Sequence, residues 1–315
     1  MSTILECIRT VGRGERGRKP LTFEQAYQVM DEYLDGHGGD DQMAMLLMLI
    51  RVQNETKQEI AGFVKAFQSR VPNLGADIDW PCYAGKRQNA GQPWHLLAAK
   101  LLADSGYKVL LHGYHDRPAG RLHAEDYLER LDVPLADSAD HAQQLLQQKG
   151  IAYLPLKHFA PQAETMIGWK NRYGLRTPIN TVVRALNPGG AKLGLRGSFH
   201  PGFQQLHADI ESEVGLTSHA VVSFKGQSGE SEYNPKVSQT VWVSTPTGVE
   251  SHYWTERMLT DIPLPKKCVF DTSEENLNMM ANTVVSTIAA TLFAELNDLE
   301  RSFEKAYTLW ADYCR

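Results

Sequence analysis

The spacing of apolar residues changes character once, near residue 71, and this limits the chain to a helical segment followed by an alternating α/β segment. Up to about residue 70, apolar positions recur at three and four: Phe23, Ala26, Tyr27, Met30 and Leu34 make one face, with Thr22 as N-cap and Gln25 three residues on in capping-box spacing. Gly36, Gly38 and Gly39 stop that helix. Residues 43–52 and 60–67 supply two more helices, the second led by Thr56 and Glu59 in the same box spacing. Pro72, Gly75 and Pro81 then break the period, and the boundary between a helical domain (1–70) and an α/β domain (71–315) is placed there.

Beyond the boundary, helical patterns at 93–105, 124–131 and 139–149 alternate with short apolar runs at 108–112 and 151–156. Short strands preceded by helices imply a parallel sheet covered on both faces. Further strands are expected at 220–224 and 240–243, and long closing helices over 274–313. The most apolar stretch, 283–296, is interrupted by Ser286, Thr287, Thr291 and Glu295, short of the roughly 18 or more uninterrupted apolar residues of a membrane span. It reads as a buried helix, with no membrane partner.

The first twenty residues carry no apolar run of secretory length, and the four cysteines, Cys7, Cys82, Cys268 and Cys314, form no close pair. A cytoplasmic location is expected, and a structural zinc site is not. His112, His115, His200 and His207 match no tight ligand spacing.

Net charge is −5, which on its own counts against a polyanionic partner, but the charge is unevenly spread. Residues 250–315 hold eleven carboxylates against six Lys or Arg, whereas 165–208 hold no Asp or Glu and carry Lys170, Arg172, Arg176, Arg184, Lys192 and Arg196. Trp169, Tyr173, Phe199 and Phe203 are interleaved with these cations and offer stacking faces for unpaired bases. Near the N-terminus, Arg9, Arg13, Arg16, Arg18 and Lys19, spaced by Gly12, Gly14 and Gly17, read as a loop that adds to the positive surface.

Four further motifs fall in order. They are Pro-Cys-Tyr-Ala-Gly-Lys-Arg-Gln-Asn at 81–89; Val-Leu-Leu-His-Gly-Tyr-His-Asp-Arg at 109–117, with Tyr-Leu-Glu-Arg-Leu at 127–131; Tyr-Gly-Leu-Arg-Thr-Pro-Ile-Asn at 173–180, with Leu-Asn-Pro at 186–188; and Phe-Lys-Gly-Gln-Ser-Gly-Glu-Ser-Glu at 224–232. This order resembles the anthranilate phosphoribosyltransferases. The resemblance implies an α/β domain with a helical N-terminal domain, of the anthranilate phosphoribosyltransferase and nucleoside phosphorylase-like fold. It also implies an insertion at about 168–188 belonging to the helical domain, and a homodimer formed through the helical domain, where apolar residues on 43–49 suit such a contact.

The departures from the family pattern fall on the chemistry. The resemblance places Gly85, Asn89, His112, Gly113 and Asn180 in a degenerate substrate site and Glu230 and Glu232 where a magnesium-binding carboxylate pair stands. Long cations, Lys86 and Arg87, occupy a turn that in the enzymes stays open for pyrophosphate. Ser231 replaces one metal carboxylate, and Lys170 takes the place of an arginine that would grip a carboxylate with two bonds.

These departures are similar to a YbiB-like subfamily, which implies DNA binding without turnover. No catalytic residue is assigned. Lys86, Arg87, Arg117, Lys170, Arg172, Arg176, Arg196 and Lys225 are expected to contact the phosphates of nucleic acid, single-stranded DNA or RNA, in a sequence-independent manner. No cofactor is expected. The alternative is a magnesium-dependent phosphoribosyl or glycosyl transferase with a divergent acceptor, the one case that calls for magnesium.

Overall fold

The computed structural model describes residues 2–116, 120–215, 220–271 and 273–315. Four helices open the chain: α1 (Thr3–Val11), α2 (Phe23–Leu34), α3 (Asp40–Val52) and α4 (Lys57–Gln68). Both expected capping boxes are made. Thr22 Oγ accepts from the N–H of Gln25, whose side chain accepts from the N–H of Thr22, and Thr56 and Glu59 repeat the pattern. Glu59 is buried because its other oxygen accepts the N–H of Leu21 at 3.0 Å, tying the start of α4 to the chain entering α2.

The rest of the chain runs β1 (Ile78–Cys82), α5 (His95–Asp104), β2 (Val109–Gly113), α6 (Ala139–Lys149), β3 (Ile151–Pro155), α7 (Pro161–Gly168), α8 (Lys170–Tyr173), α9 (Ile179–Val182), β4 (Leu193–Ser198), α10 (Phe203–Val214), β5 (Ala220–Lys225), β6 (Gln239–Thr245), β7 (Gly248–Trp254), α11 (Glu274–Leu296) and α12 (Leu299–Cys314). The seven strands lie in the order β3-β2-β1-β4-β5-β6-β7. The first five pair in parallel, and β6 and β7 close one edge antiparallel. Strands β1 to β5 are almost wholly buried, as expected of a parallel sheet with helices on both faces.

One apolar core fills the helical layer, taking residues from α1 to α4 together with Ile179, Val182, Val183 and Leu186. A second lies between α5, α11, α12 and the other face of the sheet. Helix α11 is long and apolar enough to cross a membrane by length and composition, but 83% of its apolar window is buried within the protein, so it serves as the core helix.

The expected helix at 124–131 forms instead as two 3-10 turns, Ala124–Tyr127 and Glu129–Leu131, ended by Asp132 in the left-handed region at φ 50°. Arg196, expected on a phosphate-binding surface, is fully buried on β4. Its Nη1 donates to Asp79 at 2.8 Å and its Nε to Glu211 at 2.6 Å, so the guanidinium ties β1, β4 and α10 together. Burial pushes the Asp79 carboxyl up, but His112 and Arg196 beside it more than offset this and hold it below its ordinary range.

A cationic cleft at the sheet switch point

The chain turns back across the sheet between β1 and β4, so the crevice at their carboxyl ends is where an α/β fold places a ligand. These two strands pair only through Ile78 with Leu193 and Asp79 with Gly194, and then part. The run Glu230-Ser231-Glu232, which follows β5, fills the gap. Ser231 Oγ accepts the N–H of Gly197 on β4 at 3.1 Å and donates to the carbonyl of Pro81 on β1 at 3.4 Å. Glu230 Oε1 accepts the N–H groups of Ala84 at 2.8 Å and Gly85 at 2.5 Å.

Glu232 pairs with the ammonium of Lys86, and its second oxygen accepts the first N–H of α5, that of His95, at 2.9 Å, with His95 Nδ1 at 3.2 Å. A carboxylate at that position also complements the positive end of the helix. Burial raises the Glu232 carboxyl, but Lys86 and His95 outweigh it and hold it below its usual range.

Several expected contacts are therefore overturned. Lys86 has no exposed surface: its Nζ donates to Glu232 and to the carbonyl of Gln92 at 2.8 Å and lies 4.6 Å from the centre of the Trp94 ring, so it faces inward. Glu230 and Glu232, placed by the resemblance where a magnesium-binding carboxylate pair stands, are buried. Arg196 is the buried tie described above. Lys170 is bound by Asp116 at 2.9 Å, and Arg172 is exposed over the Tyr173 ring. Arg117 lies outside the described residues.

Among the degenerate-site residues, Gly85 belongs to the turn that Glu230 fills, and Gly113 ends β2 beside Cys82. His112 is buried, with Nδ1 2.7 Å from the Tyr83 hydroxyl and Nε2 3.0 Å from Asp79. Asn180 faces the cleft and donates to the carbonyl of Thr177, whereas Asn89 sits on an adjoining hollow with Lys225.

What the crevice does gather is arginine. Among the described residues that line it, Arg51, Arg87, Arg121, Arg176 and Arg184 are cationic and Glu55 alone is acidic. Arg121 and Arg184 are both held below the ordinary arginine value. Burial is the larger cause, and Arg176 beside both, with Arg87 beside Arg121, adds like-charge crowding. Arg121 Nη1 donates to the carbonyl of Gly85 at 2.8 Å, and Arg184 Nη1 to that of Gly197 at 2.9 Å, so backbone fixes both, with the buried Glu230 carboxylate offsetting part of their charge. Arg87 and Arg176 are exposed, and the Arg87 guanidinium lies 5.0 Å from the centre of the Phe199 ring, which is 39% exposed.

Of the four aromatics read as stacking faces, Tyr173 and Phe199 are exposed, Phe203 is half-buried and Trp169 is core. The cleft encloses about 150 Å³, below the roughly 300–1,000 Å³ of pockets that engulf a small organic ligand. Helix α3 reaches it through Arg51, and Gln53 just beyond donates to the carbonyl of Val11 at 2.7 Å, which sets the loop of Arg13, Arg16, Arg18 and Lys19 beside the same end of α3. Arg51, Arg121 and Arg184 were absent from the expected set. Arg184 lay within the carboxylate-free stretch, but nothing in the local sequence marked the other two.

The residues do not fit a magnesium ion. Magnesium takes oxygen ligands in near-octahedral array, and here both oxygens of Glu232 already have partners, one of them an ammonium, while Glu230 holds two N–H groups on Oε1 and leaves Oε2 as the one free oxygen of the pair. Among the described residues, the grouping that could hold a metal is Cys82, His95 and Glu230, while His112, His115, His200 and His207 form none. Burial pushes the Cys82 thiol well above its ordinary value.

Residues 5–71 match the helical bundle domain of a glycosyl transferase family. The anthranilate phosphoribosyltransferase of Bacillus caldotenax is 30% identical over 218 residues, spanning 68% of this chain and 88% of that protein. The chain belongs to the anthranilate phosphoribosyltransferase family. The enzyme of that name from Geobacillus stearothermophilus is 32% identical over 216 residues, 67% of this chain, but the match spans only 62% of the relative's length. The protein YbiB of Escherichia coli is 26% identical over 237 residues, 73% of this chain and 72% of YbiB. Among solved structures, the anthranilate phosphoribosyltransferase of Thermus thermophilus superposes with a TM-score of 0.71 at 20% identity, over 100% of this chain and 98% of that one, which shows the fold.

The buried pair of Lys86 and Glu232 sets a stability test. Lys86→Ala leaves a buried carboxylate without its cation and is expected to cost about 3–5 kcal/mol in urea unfolding. Because the folded Glu232 and Asp79 carboxyls are depressed, the stability they supply is complete above the unfolded carboxylate value of about 4 and is lost as pH falls below it through the folded values. Glu232→Gln is expected to be weaker at neutral pH yet to show a shallower acid dependence; a slope equal to that of the native protein contradicts this assignment.

Proposed function

We propose that this chain is a non-catalytic member of its family that binds the phosphate backbone of nucleic acid, without sequence preference, along the arginine cleft. The observation that carries the reading is five arginines at the sheet switch point against one lining carboxylate, Glu55, which pairs with Arg51 at 3.7 Å and leaves the other four, with an exposed phenyl ring under one guanidinium. Uncompensated positive potential attracts a polyanion, and Phe199 with its neighbours His200 and Phe203 supplies rings on which unpaired bases can stack. A cavity this small suits a strand lying across it better than a ligand enclosed by it. Single-stranded DNA or RNA is the partner, and Lys225 and the basic loop at 13–19 extend the track.

A second reading is favoured by the comparisons: two of the relatives above carry the name anthranilate phosphoribosyltransferase, and a transferase taking phosphoribosyl pyrophosphate with magnesium would follow from it. Against it stand the filled turn after β1 and the Lys86 ammonium on the carboxylate that a metal would need. Because the match spans less than two thirds of the Geobacillus stearothermophilus enzyme, activity is not carried over with the family.

We also propose a homodimer through the helical layer. Met43, Leu46 and Leu47, part of the segment expected to make it, point into the core, so the contact falls to Leu5 on α1 and to Met45 and Val52 on α3, which are exposed. Burying such residues against a second copy removes apolar surface from water.

Arg87→Glu with Arg176→Glu is expected to weaken binding of a fluorescent oligothymidylate at low salt at least about tenfold. It should also make the slope of log affinity against log salt shallower by about 1.4, since each phosphate neutralised on a single strand contributes about 0.7. Unchanged affinity sinks the cleft assignment, and micromolar, magnesium-dependent calorimetric binding of phosphoribosyl pyrophosphate, lost in Glu232→Ala, favours the transferase instead. Met45→Glu is expected to convert a dimer into a monomer by light scattering; a native monomer refutes the interface.

A further inference from the structure

We propose that Glu230 is a built-in occupant of an anion cradle: its carboxylate takes the place of a phosphate on the turn after β1 and closes that turn to phosphate ligands. The inference concerns this turn alone and does not rest on the nucleic-acid reading.

The turn has the features of an anion site. Two successive backbone N–H groups, those of Ala84 and Gly85, converge on one oxygen, and Gly85 sits at φ +64°, a conformation that favours glycine. A side chain at Gly85 would also meet the His123 ring at 2.9 Å, so the turn is packed in its present shape. The Arg121 guanidinium grips the outer carbonyl of the same turn, and Arg184 faces Glu230 from the β4 side. These groups together would bind a phosphate oxygen, and a carboxylate oxygen from the chain itself holds that position.

Glu230 is not a surface side chain that happens to fold inward, because the backbone around it is shaped to deliver it. A Cβ at Gly197 would lie 2.1 Å from the Glu230 carbonyl oxygen, and one at Gly226 would lie 1.8 Å from it, so two glycines make room for its main chain. Its N–H donates to Gln227, and its neighbour Ser231 is bonded to both β1 and β4. Its second oxygen, Oε2, is buried without a hydrogen-bond partner. A carboxylate supplies fewer acceptor oxygens than a phosphate, and one of the two it has is left unused here. Beside it, the Lys86 ammonium on Glu232 supplies an internal cation, so the anion and the cation of this region both come from the protein.

The test uses inorganic pyrophosphate and the amide signals of Ala84 and Gly85 by NMR, with every protein also titrated in the Arg87→Glu, Arg176→Glu background, because Ala84 itself lines the arginine cleft and only a shift that survives there reports the turn. In the native protein these two signals are expected to stay unmoved up to millimolar pyrophosphate. In Glu230→Ala they are expected to shift saturably, with an affinity at least about tenfold above the native limit. Glu230→Gln keeps an acceptor oxygen while removing the charge and is expected to fall between the two. Should Glu230→Ala fold poorly, its refolding yield is expected to rise with pyrophosphate relative to chloride at equal ionic strength. A saturable shift in the native protein overturns the proposal, and so does the absence of any pyrophosphate response in both variants.

Discussion

The short run Glu230-Ser231-Glu232 is the part of the structure on which the rest of the site depends. Strands β1 and β4 diverge after two residue pairs, and a parallel sheet that opens in this way leaves backbone groups without ladder partners. Ser231 bridges the two strands, Glu230 satisfies the turn beyond β1, and Glu232 caps α5 while neutralising Lys86. Three consecutive side chains thus join β1, β4 and α5 and fix the floor of the cleft. A buried charge pair of this kind adds little net stability compared with an apolar replacement, but losing one partner is costly, so the two charges have to change together.

That constraint also sorts the basic residues into two groups. Lys86 and Arg196 are inside, each matched to carboxylates, and contribute to architecture. Arg87, Arg121 and Arg176 make no ion pair among the described residues, and the lowered value of Arg121 reflects burial together with repulsion from the other two, which outweigh the attraction of Glu230 and Asp116. Potential available to a ligand comes from the second group, so the local density of cations in the sequence overstates one surface and misses another. Arg51 arrives from the helical layer and Arg121 from the segment after β2; neither belongs to the carboxylate-free stretch 165–208.

The helical segment was legible because capping boxes and three-four spacing are local, and α2, α3 and α4 lie where Thr22, Thr56 and their apolar faces put them. Strands β2, β3, β5 and β6 were legible as short apolar runs. Strand β4 was not, since Gly194, Arg196 and Gly197 interrupt its apolar pattern, and Arg196 becomes tolerable inside only through Asp79 and Glu211. The same reason hid the fate of Lys86. Its charge is plain in the sequence, but its partner lies 146 residues away, and no local signal says that a lysine after a strand will turn inward. Family resemblance located the turn and the carboxylate pair; the finding that these two bind each other needed three-dimensional geometry.

The central claim is that the arginine cleft, with Phe199 on its lip, receives a nucleic-acid strand while the turn behind it is closed from within. Photo-crosslinking a 5-iodouracil oligonucleotide to the intact protein, followed by mass spectrometric mapping, tests this most directly. The account predicts adducts on Phe199 and its cleft neighbours that disappear at high salt. Adducts confined to a face remote from Arg87 and Arg176, or no adduct at any salt concentration, contradict it.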